Sequence, residues 1–340
     1  MPSAMVLAAG LGTRLRPITF ELPKPMVPLL DRPALAHTVD LLHRHGVDRI
    51  VANLHYFPDT IRGYFGDELE YSFEEELLGT AGGVRKARDF FGDEPFLVIS
   101  GDALTDLDVT RLLERHRETG GVATLCVTKV TDTSQYGVVL HDKDGRITGF
   151  QEKPDPAEAL SNLANCGMYL FSPEIFDYFP DTDFVDFAHD VFPRLLEHDV
   201  PFHIHDLGDE YWNDVGSIDE LRNGTFDALT GALRLESVPD AGPEAVVVGE
   251  GSSLEAAELV EGPVWLGKDV TVESGVRLQG PLVIGDGAVV GRGSALKRSI
   301  VLPGTTVQPD TILIEAITGQ TGIVGAMRPR AETRISSRRA

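Results

Sequence analysis

Two cysteines, Cys126 and Cys166, are all that 340 residues hold, too few for a disulfide framework or a thiolate zinc site. No stretch reaches the roughly 20 consecutive apolar residues of a membrane span. The opening Met1-Pro2-Ser3-Ala4-Met5 has no basic residue and leads into only a short apolar run, so no signal peptide is expected and a cytoplasmic protein is. Positive charge is scarce: 30 Lys and Arg stand against 53 Asp and Glu, a net charge of −23. Such a balance excludes a nucleic-acid partner, which needs a basic surface. Histidine runs out early. None of the ten lies beyond His205, so the last third of the chain lacks the base that acyl transfer generally uses.

What is present fits one large domain and a smaller one. From Ala4 to about Val130, strand candidates at Ala4–Ala9, Arg49–Leu54, Phe96–Ser100 and Val122–Val130 alternate with helical patterns. The stretch Pro33–His45 opens on a proline and stops at Gly46, and its Leu35, Val39 and Leu42 share one face. This alternation implies a mostly parallel sheet covered on both faces, with ligands bound beyond the carboxyl ends of its strands. The loops after Ala9 and Ser100 are therefore the places to search. Tyr136–His141 and Arg146–Gln151, on either side of Asp142-Lys143-Asp144-Gly145, read as a hairpin.

Pro239, Gly242 and Pro243 mark a linker, and the pattern then changes. Val248, Leu254, Val260, Leu266, Val272, Leu278, Ile284, Val290, Leu296 and Leu302 are aliphatic and fall every six residues. Such hexads build a parallel β-helix whose aliphatics point inward. The expected division is a catalytic domain over 1–235, a β-helix over 245–325 and a basic tail over 326–340. The tail carries Arg328, Arg330, Arg334, Arg338 and Arg339 against Glu332.

The chemistry concentrates in Leu7-Ala8-Ala9-Gly10-Leu11-Gly12-Thr13-Arg14-Leu15-Arg16-Pro17 and in Pro23-Lys24-Pro25. A strand ending in a glycine-rich loop lets backbone N–H groups approach phosphate oxygens. The run lacks the Gly-Lys-Ser/Thr of a Walker loop, and Leu15 stands where a dinucleotide fold needs its third glycine. Locally the charge is reversed: residues 1–30 carry Arg14, Arg16 and Lys24 against Glu21 alone.

Gly10 to Pro25 resembles the GxGTRLxPxT…PKP signature of the sugar-phosphate nucleotidylyltransferases. The likeness continues through Leu78-Gly79-Thr80-Ala81-Gly82, Ser100-Gly101-Asp102, Tyr136-Gly137-Val138-Val139, Glu152-Lys153-Pro154, Asn165-Cys166-Gly167-Met168-Tyr169 and Trp212-Asn213-Asp214-Val215-Gly216. Within the family these blocks are most similar to those of mannose-1-phosphate guanylyltransferases. Cys166 takes the place of a usual alanine, and Asn213 sits where members vary. The resemblance implies a Rossmann-like mixed, mostly parallel sheet followed by a left-handed parallel β-helix.

It also implies the chemistry. A sugar 1-phosphate attacks the α-phosphorus of a nucleoside triphosphate, GTP and mannose 1-phosphate being the favoured pair, and the products are a nucleotide-sugar and pyrophosphate. Asp102 and Asp214 are expected to hold Mg²⁺, the sole cofactor. Arg14 is expected to clamp the outer phosphates, with Lys24 as a point charge at the α-phosphate or sugar phosphate. The nucleotide is assigned to Ala8, Gly10, Gly12, Thr13, Arg14, Leu78, Gly79, Thr80 and Ala81, and the sugar phosphate to Gly137, Glu152, Lys153 and Asn165. UTP, dTTP or ATP with glucose 1-phosphate or a cyclitol phosphate stays open, since base choice rests on a few hydrogen bonds. So does a non-catalytic regulatory homologue, although Arg14, Lys24, Asp102 and Asp214 are all present. The β-helix, with no histidine and no recognisable site, points to assembly as a homo-oligomer, a dimer or tetramer.

Overall fold

The apolar runs of the first 210 residues form nine strands of one mixed sheet in a computed structural model describing residues 2–30, 32–238 and 242–324. In chain order they are β1 Ser3–Leu7, β2 Ile50–Leu54, β3 Glu70–Phe73, β4 Phe96–Ser100, β5 Ala123–Lys129, β6 Gly137–His141, β7 Ile147–Glu152, β8 Leu163–Phe171 and β9 His203–Asp206. The order across the sheet is β7-β6-β8-β4-β1-β2-β3, with β5 pairing both β8 and β9. Strands β4, β1, β2 and β3 run parallel. Strand β8 runs antiparallel to β4, β5 and β6, whereas β9 joins β5 in parallel, so the sheet is mixed. The expected hairpin is β6–β7.

Alternation along a strand sends successive side chains to opposite faces. Ala4 and Val6 join a core with Leu35, Val39, Leu42, Ile61 and Leu112, from helices Ala34–Arg44, Pro58–Phe65 and Val109–Thr119. Met5, Val98 and Leu125 face the other way, against Val84, Phe91, Phe187 and Phe192. A sheet covered on both faces needs apolar residues at every position, which is why β1 and β4 read as continuous hydrophobic runs.

The chain divides into compact units at Gly216/Ser217. Helix Ile218–Thr230, capped by Ser217 through the Glu220 N–H, thus groups with the β-helix. Within that unit Arg222 donates to the Glu315 carbonyl at 2.8 Å, and the Arg298 guanidinium lies 5.9 Å from the Phe226 ring centre. The expected boundary at 235 followed the proline-rich linker; the compact units follow packing.

Beyond the linker, short strands stack in three ladders, those of Val264–Leu266, Leu259–Glu261 and Thr271–Val272, parallel except where Gly322–Val324 turns back on Ile317–Gly319. This is the expected parallel β-helix. Leu266, Val272, Leu278, Ile284, Val290 and Leu296 are all buried inside it. Two of the ten expected inward positions differ. Val248 is 43% exposed because its strand ends a ladder, with Leu266 on one side only. Leu302 is out of phase: Ile284 pairs with Val301, one residue short of three hexads, and Val301 is the buried residue. The turn before it is tightened by one residue, with Arg298 at φ 48°. The basic tail expected over 326–340 lies outside the described residues.

One buried group of the first unit predicts acid sensitivity. His116 is 4% exposed, its ring nitrogens 2.9 Å from Thr124 Oγ1 and 3.0 Å from Ser172 Oγ. Burial, with His203 and Arg117 nearby outweighing Glu174, pushes its pKa down to about 4 from 6.5. The unfolded chain therefore binds the extra proton first. Stability is full above pH 6.5 and declines as pH falls toward 4, by about 2–3 kcal/mol from this group. Denaturant unfolding of wild type beside His116→Gln should show a steeper loss for wild type between pH 6.5 and 4.5. Parallel pH profiles would remove His116 as the cause.

Candidate active site

The loop after β1 is shaped by two close approaches. Gly12 has φ 61°, and a Cβ there would lie 2.9 Å from Lys24 Cβ and 3.0 Å from Thr19 Cγ2. Only glycine fits both constraints. Thr19 Oγ1 and the Leu15 N–H both donate to the Gly12 carbonyl, at 2.7 and 3.0 Å. These bonds tighten the loop, and the close approach of Lys24 Cβ sets the Pro23-Lys24-Pro25 segment against Gly12. Ala8 is buried, whereas Gly10 has open space above it, and Thr13 and Arg14 are exposed.

Asp102 follows β4, where the Gly101 N–H donates to the Leu7 carbonyl at 3.0 Å. A two-residue antiparallel ladder then sets Leu104–Thr105 against Trp212–Asn213. Thr105 Oγ1 donates to the Tyr211 carbonyl, and the Tyr211 N–H donates to Asp106 Oδ1. Through this ladder Asp214, distant in sequence, arrives beside Asp102. Lys24 Nζ pairs with Asp102 Oδ2 and donates to the Asp214 carbonyl at 3.1 Å. Its side chain is 13% exposed and that of Asp102 21%. A Cβ at Gly216 would lie 2.9 Å from Arg14 Nη1 and 2.8 Å from Asp214 Oδ2, so Arg14 and Asp214 flank the same glycine. The four charged residues expected from sequence thus form one group. Among the described residues no three His, Cys, Asp or Glu gather as a metal cluster.

Leu78-Gly79-Thr80-Ala81 opens helix Gly79–Lys86. Gly79 has φ 80°, and a Cβ on it would meet the Val185 carbonyl at 2.4 Å. That carbonyl accepts from the Ala81 and Gly82 N–H groups, and the Val185 N–H donates back to Leu78. Thr80 Oγ1 donates to Asp186 Oδ2 at 2.9 Å.

Two residues absent from the sequence expectations join this block to the glycine loop. Asn53 Oδ1 accepts from the Ala8 N–H at 2.7 Å, and its Nδ2 donates to Glu74 Oε1 at 2.8 Å. Glu74 Oε2 accepts from the Leu78 N–H at 3.1 Å. Asn53 is 3% and Glu74 1% exposed. In sequence Glu74 opens the run Glu74-Glu75-Glu76, which reads as a solvated acidic patch. Its one signal is its place at the end of an alternating strand, just before the Leu78–Gly82 block. A cavity of about 330 Å³ joins these parts, lined by Ala9, Gly10, Asn53, Glu74, Gly79, Thr80, Asp102 and Phe184 among others.

The expected sugar residues lie on the antiparallel side. Gly137 pairs with Glu152 across β6–β7, and a Cβ on Gly137 would be 3.1 Å from Glu152 Oε2. Lys153, at φ 44°, places Nζ 3.2 Å from Glu152 Oε1, both side chains being about half exposed. Asn165 sits where β8 bulges; its Nδ2 donates to the Tyr169 hydroxyl and its Oδ1 accepts from the Gly167 N–H. A Cβ on Gly167 would lie 3.4 Å from Ser100 Oγ, so the bulge abuts the strand that leads to Asp102.

The family model for nucleotidyl transferases matches residues 3–230. The chain is 35% identical over 336 residues to the UTP–glucose-1-phosphate uridylyltransferase of Synechocystis, covering 92% of this chain and 86% of the relative. It is 30% identical over 302 residues to the mannose-1-phosphate guanylyltransferase of Mycobacterium tuberculosis, covering 87% and 83%. HddC from Yersinia pseudotuberculosis, solved alone and with GMP-PN, is similar with a TM-score of 0.58 and 27% identity, over 66% of this chain and 98% of HddC.

Proposed function

The chain belongs to the nucleotidyl transferase family, and from that premise we propose that it converts GTP and mannose 1-phosphate into GDP-mannose and pyrophosphate. The observation that carries the base is Glu74. A buried carboxylate lining the cavity has one acceptor position left on each oxygen after Asn53 and Leu78 are served. Guanine offers two adjacent donors, N1–H and N2–H, that match it. Uracil and thymine offer one N–H between two carbonyls, which a carboxylate repels.

The sugar phosphate is already an anionic nucleophile, so no general base is required. Its oxygen bonds to the α-phosphorus as the bond from that phosphorus to the β-bridging oxygen breaks, and pyrophosphate leaves with the electron pair. The chain's task is to bring two anions together and stabilise the departing charge. Arg14, exposed and beside Asp214, holds the outer phosphates. Lys24 bridges the Asp102 carboxylate and the Asp214 backbone, ready to shift its charge onto an incoming phosphate. The donor set fits Mg²⁺: the Asp102 carboxylate pairs with Lys24, whose ammonium also reaches the Asp214 backbone, and the two carboxylates' hard oxygens leave the remaining coordination to phosphates and water. Asp102 and Asp214 would hold the ion. When bound, it neutralises phosphate charge.

A second reading, uridylyl transfer to glucose 1-phosphate, is favoured by the 35% identity to the Synechocystis uridylyltransferase over 92% of the chain. Pyrophosphate release should be measured for GTP, UTP, dTTP and ATP, each against mannose and glucose 1-phosphates. GTP with mannose 1-phosphate should give the highest kcat/KM. A higher value for UTP with glucose 1-phosphate selects the second reading. Activity with no pair overturns both.

The β-helix serves assembly in this reading. Ile312–Ile314 is the edge strand of its ladder, with Ile312 62% and Ile314 43% exposed. An apolar strand at the edge of its ladder among the described residues invites a second copy. The full chain should be a dimer or tetramer by light scattering at micromolar concentration, and Ile312→Asp with Ile314→Asp should reduce its mass to the monomer's. A monomeric wild type ends the assembly role.

A further inference from the structure

Phe184 is 59% exposed, unusual for a phenylalanine held in a rigid setting. The segment that carries it is tied down along its length. Arg85 donates to the carbonyls of Pro180, Thr182 and Asp183. Val185 exchanges three backbone hydrogen bonds with Leu78, Ala81 and Gly82. Asp186 receives Thr80 Oγ1 on one oxygen and the Ala188 and His189 N–H groups on the other. A fixed backbone therefore presents an uncovered aromatic ring, and the ring belongs to the same 330 Å³ cavity as Glu74, Gly79 and Thr80. Its Cε1 would lie 3.2 Å from a Cβ on Gly79, so the ring closes over that glycine. Leu77, 38% exposed, lines the cavity too.

We propose that Phe184 is the stacking platform for the nucleobase. This rests on the reading of the cavity as the nucleoside triphosphate site and adds a residue that contacts the base by its face, where Glu74 meets the edge. Every base has a π-face, so the platform contributes affinity without choosing the base. Choice is left to the edge contacts. The glycine at 79 then has a second use, since a side chain there would occupy the space beneath the ring.

The test separates face from phosphates. Phe184→Ala should raise KM for GTP and for UTP by a similar factor, between about five- and a hundredfold, the range seen when a base-stacking aromatic is truncated. kcat and the KM for the sugar 1-phosphate should stay within about twofold, as for binding lost equally in ground and transition states. Phe184→Trp should restore KM. Binding of inorganic tripolyphosphate, which has no base, should be the same for wild type and Phe184→Ala. An active wild type whose triphosphate KM is unchanged by Phe184→Ala overturns the stacking and leaves the proposed function standing. Weakened tripolyphosphate binding in the variant makes Phe184 a scaffold of the phosphate loop and likewise overturns it. An inactive wild type overturns the reading underneath.

Discussion

Asp102→Asn and Asp214→Asn should each lower kcat by at least about a hundredfold, the scale of losing one preorganised electrostatic contact in the transition state. Each change keeps the shape and removes one negative charge. The two should differ in their second effect. Asp102 carries the ion pair with Lys24, both side chains being mostly buried, so Asp102→Asn leaves an ammonium without its counter-charge and should also lower the melting temperature. Asp214 meets Lys24 through its backbone carbonyl, a contact that asparagine preserves, so its melting temperature should stay near wild type. Steady-state pyrophosphate release across a Mg²⁺ titration, with thermal melts alongside, reads both effects. Near-normal turnover with an unchanged Mg²⁺ dependence in either variant takes that residue out of the metal site.

The second large effect is expected at Glu74. Gln keeps the length but presents one acceptor and one NH₂ group, while Asn53 Nδ2 and the Leu78 N–H both need acceptors. One buried donor is left unmet, costing about 1–3 kcal/mol in stability. For catalysis, kcat/KM with GTP should fall by about a hundredfold or more, because a guanine donor loses its charged acceptor. With UTP the fall should be much smaller, since the repulsion of the uracil carbonyls is relieved. The ratio of the two efficiencies is the measurement. An equal loss for both nucleotides would make Glu74 a brace between Ala8 and Leu78 and remove it from base choice.

Several features were legible because their causes are local. The glycine loop reads as a phosphate cradle from Gly10, Gly12 and the end of an apolar strand. The hexads read as a β-helix because each turn repeats its own demand for an inward aliphatic. Asp102 was legible as the residue after a strong strand, in a fold class that binds ligands there. Asp214, Lys153 and Asn165 came only through resemblance of short blocks, and no spacing in this chain links them to Asp102.

Sequence alone therefore determined the periodicities, and with them the two architectures and the loops where a ligand is expected. The tertiary structure decided which side chains meet. Asn53 and Glu74 are 21 residues apart, Thr80 and Asp186 106, Lys24 and Asp214 190, and none of these contacts has a local signal. Glu74 looks solvated beside Glu75 and Glu76 until the Leu78 N–H and Asn53 hold it buried; Phe184 carries no local signal, and Arg85 and Val185 fix its segment at the cavity rim. Likewise the phase slip at Val301 is set by ladder pairing with Ile284, which outweighs an uninterrupted count of six. A pattern reports the face a residue should turn inward, but burial and charge at a site depend on what the rest of the chain brings against it, and that is fixed only by packing.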